Sequence, residues 1–333
     1  AAFTELMLHL ARDGGGIAAL LPGGLIRSQS TEPLRRTLVD SCSSFSVSVL
    51  DNKARFFGID TRFKFLAVAG RTKRTAGSLP LKHLELSMYK GTPDGCMRSS
   101  SVKMPASLLR DLRPDLSIPE VFSQREWRLF SAASRAGIQW SNNEGPWCAH
   151  FCREVDMTRQ RPHFTNISEK GAFPVVEGRM VQPHRFGAKS YLGGSGRAAQ
   201  WQVEPIGRSK TAPQFWIPAT VLSSEVRARI SRHRAGFCDI AGQTNERSMM
   251  ASVILPDHVC GNKVPTVEFS GPSAEADMWL WVGMVNSLPF DWLLRRVLTT
   301  TVNYFLLRSV PLPAIASDSL PGRRIVKAAQ QLA

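Results

Sequence analysis

Apolar and polar positions near the start of the chain change period several times, and each change marks an element. "AFTELMLHLARDGGG" puts Phe3, Leu6, Met7 and Leu10 on one helical face, and Gly14 to Gly16 end it. "IAALLP" is a short, wholly apolar run, the pattern of a strand in a buried parallel sheet. "SQSTEPLRRTLVDSC" opens with capping residues and Glu32 and repeats Leu34 and Leu38 at helical spacing. "FSVSVL" alternates as a strand does, and "RFKFLAVAG" predicts another, joined to it through "FFGID". The order of helix, strand, helix, strand and hairpin strand is that of the second half of a doubly wound, Rossmann-like α/β sheet, closed by an antiparallel edge strand.

Residues 71–145 are mixed. "RTKRTAGS" reads as a basic linker, "LRDLRPDLSIPE" is punctuated by proline, and "SQREWRLFSAASRAG" predicts a short helix. From about residue 146 short apolar or aromatic segments alternate with Gly, Pro and Arg, as in "FPVVEGRMV", "AAQWQVE", "QFWIPATV" and "SMMASVILP". These predict a β-rich region. A long helix interrupted by Pro289 follows in "AEADMWLWVGMVNSLPFDWLLRRVL". The pattern divides the chain into an α/β part at 1–75, a connector at 76–145, a mixed α+β domain at 146–313 and a tail at 314–333, with no internal repeat.

Charge changes the picture most. The 333 residues hold 42 Lys and Arg against 27 Asp and Glu, a formal net charge of +15, and Arg outnumbers Lys. Such an excess favours a polyanion, most often nucleic acid, and the arginine fork suits phosphate and guanine edges. Apolar content is 43%, and the longest apolar runs, such as "MWLWVGMV", are far too short to span a membrane. The first turn carries Glu5 and His9 and shows no signal peptide. Six cysteines are scattered without a framework, as in a reduced, cytoplasmic chain. The sequence starts at Ala1 within a predicted helix, so it is either renumbered or a piece of a longer protein.

The common catalytic signatures are absent: no Walker loop, no zincin His-Glu-x-x-His, no Gly-x-Ser-x-Gly. "GGSGRA" follows no apolar strand and opens no helix, so it reads as a loop and not a phosphate cradle. Cys148, His150 and Cys152 alternate without a second ligand pair, which is not zinc-finger spacing. His163 and His184 read as polar surface groups before they read as ligands.

Four stretches carry a resemblance: "FCREVDMTRQRPHF" (151–164), "PVVEGRMVQPHRF" (174–186), "DIAGQTNERSMMASVILP" (239–256) and "VNSLPFDWLLRRVLTTTVNYFLLRSVPLP" (285–313). In this order they resemble the target-recognition half of bacterial adenine-N6 DNA methyltransferases, above all the fused methylases of restriction–modification and phage-defence systems. "LLPGGLIRSQSTEPLRRTLVD" (20–40) and "FFGIDTRFKFLAV" (56–68) resemble late methyltransferase motifs of the same proteins, and "LRPDLSIPE" (112–120) their connector. The resemblance covers nearly the whole chain. It departs at two points: the Asn/Asp-Pro-Pro-Tyr/Phe loop that holds a flipped adenine is absent, and so is the glycine-rich S-adenosylmethionine loop with its following acidic residue. In the family both lie upstream of the helix that begins this chain. The resemblance therefore implies the DNA-reading and base-positioning part of a methyltransferase. Double-stranded DNA would be its partner, with S-adenosylmethionine bound in a catalytic half on the same gene product or another subunit. The alternative is a catalytically inactive DNA-binding or interaction subunit of a defence complex. A pure DNA specificity subunit would have no use for the late methyltransferase strands at 17–70.

The resemblance also assigns candidate residues. Phe57, with Phe56 as the alternative, matches the aromatic that stacks on an extruded base, a role that suits a flat ring; otherwise both rings pack under the sheet edge. Arg153, Arg159 and Arg161 are DNA-contact candidates unless their loop is merely solvated. Arg179, His184 and Arg185 form a second group suited to phosphate or groove contacts. In "QTNERS", Arg247 either pairs with Glu246 or reaches DNA, a structural role being favoured because an apolar strand follows. Arg295 and Arg296 would form the solvent or phosphate edge of a Trp/Leu core face.

Overall fold

A computed structural model describes residues 2–73, 81–90, 97–98, 100–138, 149–207, 212–243 and 245–333. It has a mixed α/β architecture in two compact units, 1–136 and 137–333.

The first unit contains α1 (Ala2–Leu10), β1 (Gly16–Pro22), α2 (Glu32–Asp40), β2 (Cys42–Asp51) and β3 (Lys64–Thr72), then β4 (His83–Lys90), β5 (Met97–Arg98), β6 (Val102–Pro105), α3 (Ala106–Leu112) and α4 (Gln124–Ala136). Its sheet runs in the order β1-β3-β2-β4-β5, with β6 also on β4. β3 is antiparallel to both β1 and β2, and β2 is parallel to β4. β1, β2 and β4 thus share one direction, and their carboxyl ends, Pro22, Asp51 and Lys90, lie on one edge. This corrects the expected closing edge strand. β3 lies inside the sheet because neighbouring Phe65 and Leu66, which point to opposite faces, are both buried. The apolar β1 is an edge strand, with only Ile17 buried and Leu20 63% exposed, although its composition predicts a buried parallel strand.

Local sequence explains the other elements. In β2, Phe45, Val47 and Val49 alternate with serines and are buried. In α2, Leu34 and Leu38 share a buried face. Arg35 of that helix is buried as well, because its guanidinium donates to the carbonyls of Leu25, Ser28 and Asp115 at 2.7–2.9 Å. It thereby ties the turn after β1 to the 112–116 segment. The stretch read as a connector contributes β4, β6, α3 and α4 to this unit.

The second unit is rich in short strands: β7 (Ala149–Cys152), β8 (Ala172–Val176), β9 (Val181–Gln182), β10 (Arg185–Phe186), β11 (Lys189–Gly193), β12 (Gln200–Val203) and β13 (Trp216–Pro218). After α5 (Ser224–Ile230) come β14 (Arg234–Phe237), β15 (Ala251–Ile254), β16 (Val259–Cys260) and β17 (Thr266–Phe269). They build small sheets β13-β8-β16 and β15-β14-β17-β7 and two hairpins, β9 with β10 and β11 with β12. Helices α6 (Ala274–Val285), α7 (Leu288–Val297), α8 (Tyr304–Arg308) and α9 (Leu320–Leu332) follow. The single interrupted helix expected around Pro289 is two helices: Pro289 sits in the first turn of α7, where its missing N–H costs nothing, and the Ser287 hydroxyl caps that turn. The stretch read as a tail holds α9, which packs on α6 where Gly283 meets Ile325 and Ala329. No helix among the described residues is long and apolar enough to cross a membrane.

Candidate nucleic-acid interface

In the first unit the site is the loop from Asn52 to Phe63, between β2 and β3 on the edge where the parallel strands end. In open α/β sheets, ligands bind outside the carboxyl ends of the strands. The loop is hydrogen-bonded throughout. Asn52 is fully buried, and its Nδ2 donates to the carbonyls of Phe57 (3.1 Å) and Ile59 (3.2 Å) while Oδ1 accepts the Phe57 N–H (3.1 Å). Arg55 takes a positive φ of 54°. At the far end Asp60 accepts from the Arg62 N–H and is forked by its guanidinium, which pulls the carboxyl down to about 2.

Phe56 and Phe57 remain 39% and 40% exposed. Both stand edge-on to buried Phe65, at centroid distances of 5.8 and 4.8 Å. Ile59 and Phe63 of the same loop are more exposed still, so the loop presents an apolar, aromatic surface on a braced base.

Buried Glu120 lies next to this loop, pairing with Lys64, the first residue of β3, and with Arg27, which follows β1. Burial lowers the Arg27 guanidinium to about 9, so it stays charged at neutral pH. The Gly23–Gly24 turn after β1 is filled by protein: a Cβ at Gly23 would lie 2.6 Å from the Lys64 carbonyl oxygen. That glycine serves chain packing.

In the second unit the candidate arginines separate into two groups. Arg159 is exposed on a loop held by Asp156, which accepts the N–H groups of Thr158 and Arg159. Arg161 lies 4.4 Å over the Phe215 ring and Arg179 5.1 Å over Trp201, both exposed. Stacking fixes the plane of a guanidinium and leaves its N–H edges facing outward. Arg153 is partly exposed, bonded to the Asn262 carbonyl and 3.6 Å from buried Asp239, which also has Lys263 at 3.7 Å.

The other group is hydrogen-bonded to the protein itself. Arg185 donates to the carbonyls of Glu204 and Pro205, both at 3.0 Å. Arg295 bonds Asp291 and the carbonyls of Gln243 and Glu246. Arg247 holds the Asn286 carbonyl. Each of the three guanidiniums thus has partners within the protein, and for Arg247 this is the structural role that the following apolar strand favoured. His184 is half-buried at a positive φ of 65°, its N–H on the Ala251 carbonyl and its imidazole held below the usual histidine range by burial and by Arg247. It stands in a turn, between the two residues of β9 and those of β10. Arg296 lies 4.9 Å over Trp292.

Sequence reasoning passed over Asn52, Asn286 and Asp291. Asn286 closes a two-hydrogen-bond ring with the Ala251 backbone at 3.0 and 2.8 Å. Asp291 accepts the N–H groups of Ser248 and Met249 at 2.8 and 2.7 Å. Together they anchor the "QTNERSMMA" stretch, whose Thr244 lies outside the described residues. The available signal for Asn52 was an asparagine directly after a strand and before a turn. Asn286 and Asp291 act across 35 or more residues and gave none.

No family model matches the chain, and no curated protein does. Among solved structures, the type IIG restriction endonuclease BpuSI superimposes over 99% of this chain and 43% of its own, with a TM-score of 0.36 and 11% identity. The type IIL restriction-modification enzyme MmeI, in complex with DNA, superimposes over 98% of this chain and 42% of its own, with a TM-score of 0.46 and 9% identity. The chain thus spans less than half the length of either.

Proposed function

We propose that this chain is the base-positioning and DNA-reading part of an adenine-N6 DNA methyltransferase of a restriction–modification or phage-defence system. In this reading the first unit is the second half of a Rossmann-like methyltransferase sheet and the second unit is a target-recognition domain. The observation that carries the reading is the exposed Phe56–Phe57 pair, braced on Phe65 at the sheet edge where β1, β2 and β4 have their carboxyl ends. An extruded base loses its stacking and regains it on such a ring. Arg159, Arg161 and Arg179, with Arg153, are the side chains that would meet the backbone of double-stranded DNA.

S-adenosylmethionine, which supplies the methyl group, would bind in a catalytic half outside this chain, as the missing glycine-rich loop implies. The open edge of β1, apolar and free of charged residues, suits extension by a further parallel strand of such a half. The test uses the full-length protein and a duplex carrying 2-aminopurine at the adenine that methylation mapping identifies. Phe57→Ala is expected to lose most of the fluorescence rise seen with the wild type. An unchanged rise would overturn the base-platform role.

A further inference from the structure

We infer that Asn52 is the positioning residue of the aromatic platform, an assignment that rests on the base-stacking reading above. Both backbone polar groups of Phe57 are held by this one side chain, the N–H by Oδ1 and the carbonyl by Nδ2. The second Nδ2 hydrogen reaches the Ile59 carbonyl on the far side of Gly58. One carboxamide therefore closes the loop on both sides of the ring that would receive the base.

The chemistry of the side chain is specific. Two carbonyls need two donors and one N–H needs an acceptor on the same planar group, which an asparagine supplies and an aspartate does not. Asn52 is fully buried and so has no water to replace these partners. The strand end fixes its backbone, because Asp51 is the last residue paired in β2. Phe65 then braces the Phe57 ring from the neighbouring strand at 4.8 Å. The ring is thus held by its backbone through Asn52 and by its edge through Phe65 before any base arrives. Such preorganisation lets stacking on the base proceed without first ordering the loop.

The test compares wild type, Asn52→Asp, Asn52→Ala and Phe57→Ala in the full-length protein. It measures 2-aminopurine fluorescence at the target adenine, DNA affinity by anisotropy, and the melting temperature. Asn52→Asp keeps the shape and the acceptor but sets a second acceptor, in place of two donors, against the carbonyls of Phe57 and Ile59. It is expected to lower the fluorescence rise several-fold, toward the level of Phe57→Ala, with DNA affinity within about twofold of wild type and a folded, cooperative melt. Asn52→Ala is read the same way, and decides the matter if the aspartate variant does not fold. A wild-type rise in either folded Asn52 variant would overturn the assignment. So would failure of both to fold, which would make Asn52 a general structural residue. If the wild type itself gives no rise, the base-platform reading fails first. If the wild type rises, Phe57→Ala does not, and the Asn52 variants match wild type, the assignment of Asn52 alone falls.

Discussion

Buried charged side chains do much of the bracing in this protein, and one pair is matched atom for atom. Arg234 and Glu154 form a fork inside the second unit at 2.5 and 2.8 Å, both fully buried, and Glu154 also accepts the Cys260 N–H at 2.7 Å. Removing one partner of such a pair strands the other charge. Glu154→Gln is expected to cost about 3–5 kcal/mol, read as a lower urea midpoint at unchanged slope. Titration gives a second residue-scale prediction. Burial lowers the imidazoles of His184 and His258 in the fold. The unfolded chain takes up protons near the ordinary value of about 6.5, ahead of the folded chain. Stability is therefore fully present above that pH and falls as pH drops through it toward the lower folded values. The urea midpoint should be lower at pH 5.5 than at pH 7.5, and His258→Gln should narrow the gap.

At the scale of elements, close approaches decide which substitutions are tolerated. α6 and α9 meet at Gly283, where an added Cβ would lie 2.7 Å from Ile325 Cγ2 and 3.3 Å from Ala329 Cβ. Gly283→Val should push the helices apart and cost about 1–3 kcal/mol as overpacking does, measured by thermal melting. β1 presents the opposite problem: among the described residues it pairs with β3 alone. A strand with no gatekeeping charge invites pairing with another chain. Leu20→Lys should reduce concentration-dependent self-association of the isolated chain in light scattering. The elements themselves were legible in the sequence: the alternation of β2, the leucine spacing of α2 and the short strands around Val175, Trp201, Ile217 and Val253 all recur in the structure. The position of β3 in the sheet was not. A hairpin strand reads the same whether it lies at an edge or between two partners, and only burial on both faces tells the two apart.

For the whole molecule, the net charge of +15 is the property most open to direct test. If Arg159, Arg161 and Arg179 each neutralise a phosphate, changing all three to Gln should flatten the slope of log affinity against log salt by about 2 to 3. Arg185→Gln, whose guanidinium serves two carbonyls, should leave that slope unchanged and lower stability instead. The sequence alone determined the basic excess, the apolar periodicities and the Phe-Phe turn with its flanking strands, because composition and local spacing are properties of neighbours along the chain. Only the tertiary structure decided which arginines stay at the surface and which are consumed by backbone carbonyls. It also placed β1 at the end of the strand order and set Asn52 to grip both backbone polar groups of Phe57. Those outcomes depend on which donors and acceptors meet after folding, and a guanidinium finds its carbonyls only once distant strands and loops have been brought within about 3 Å of it.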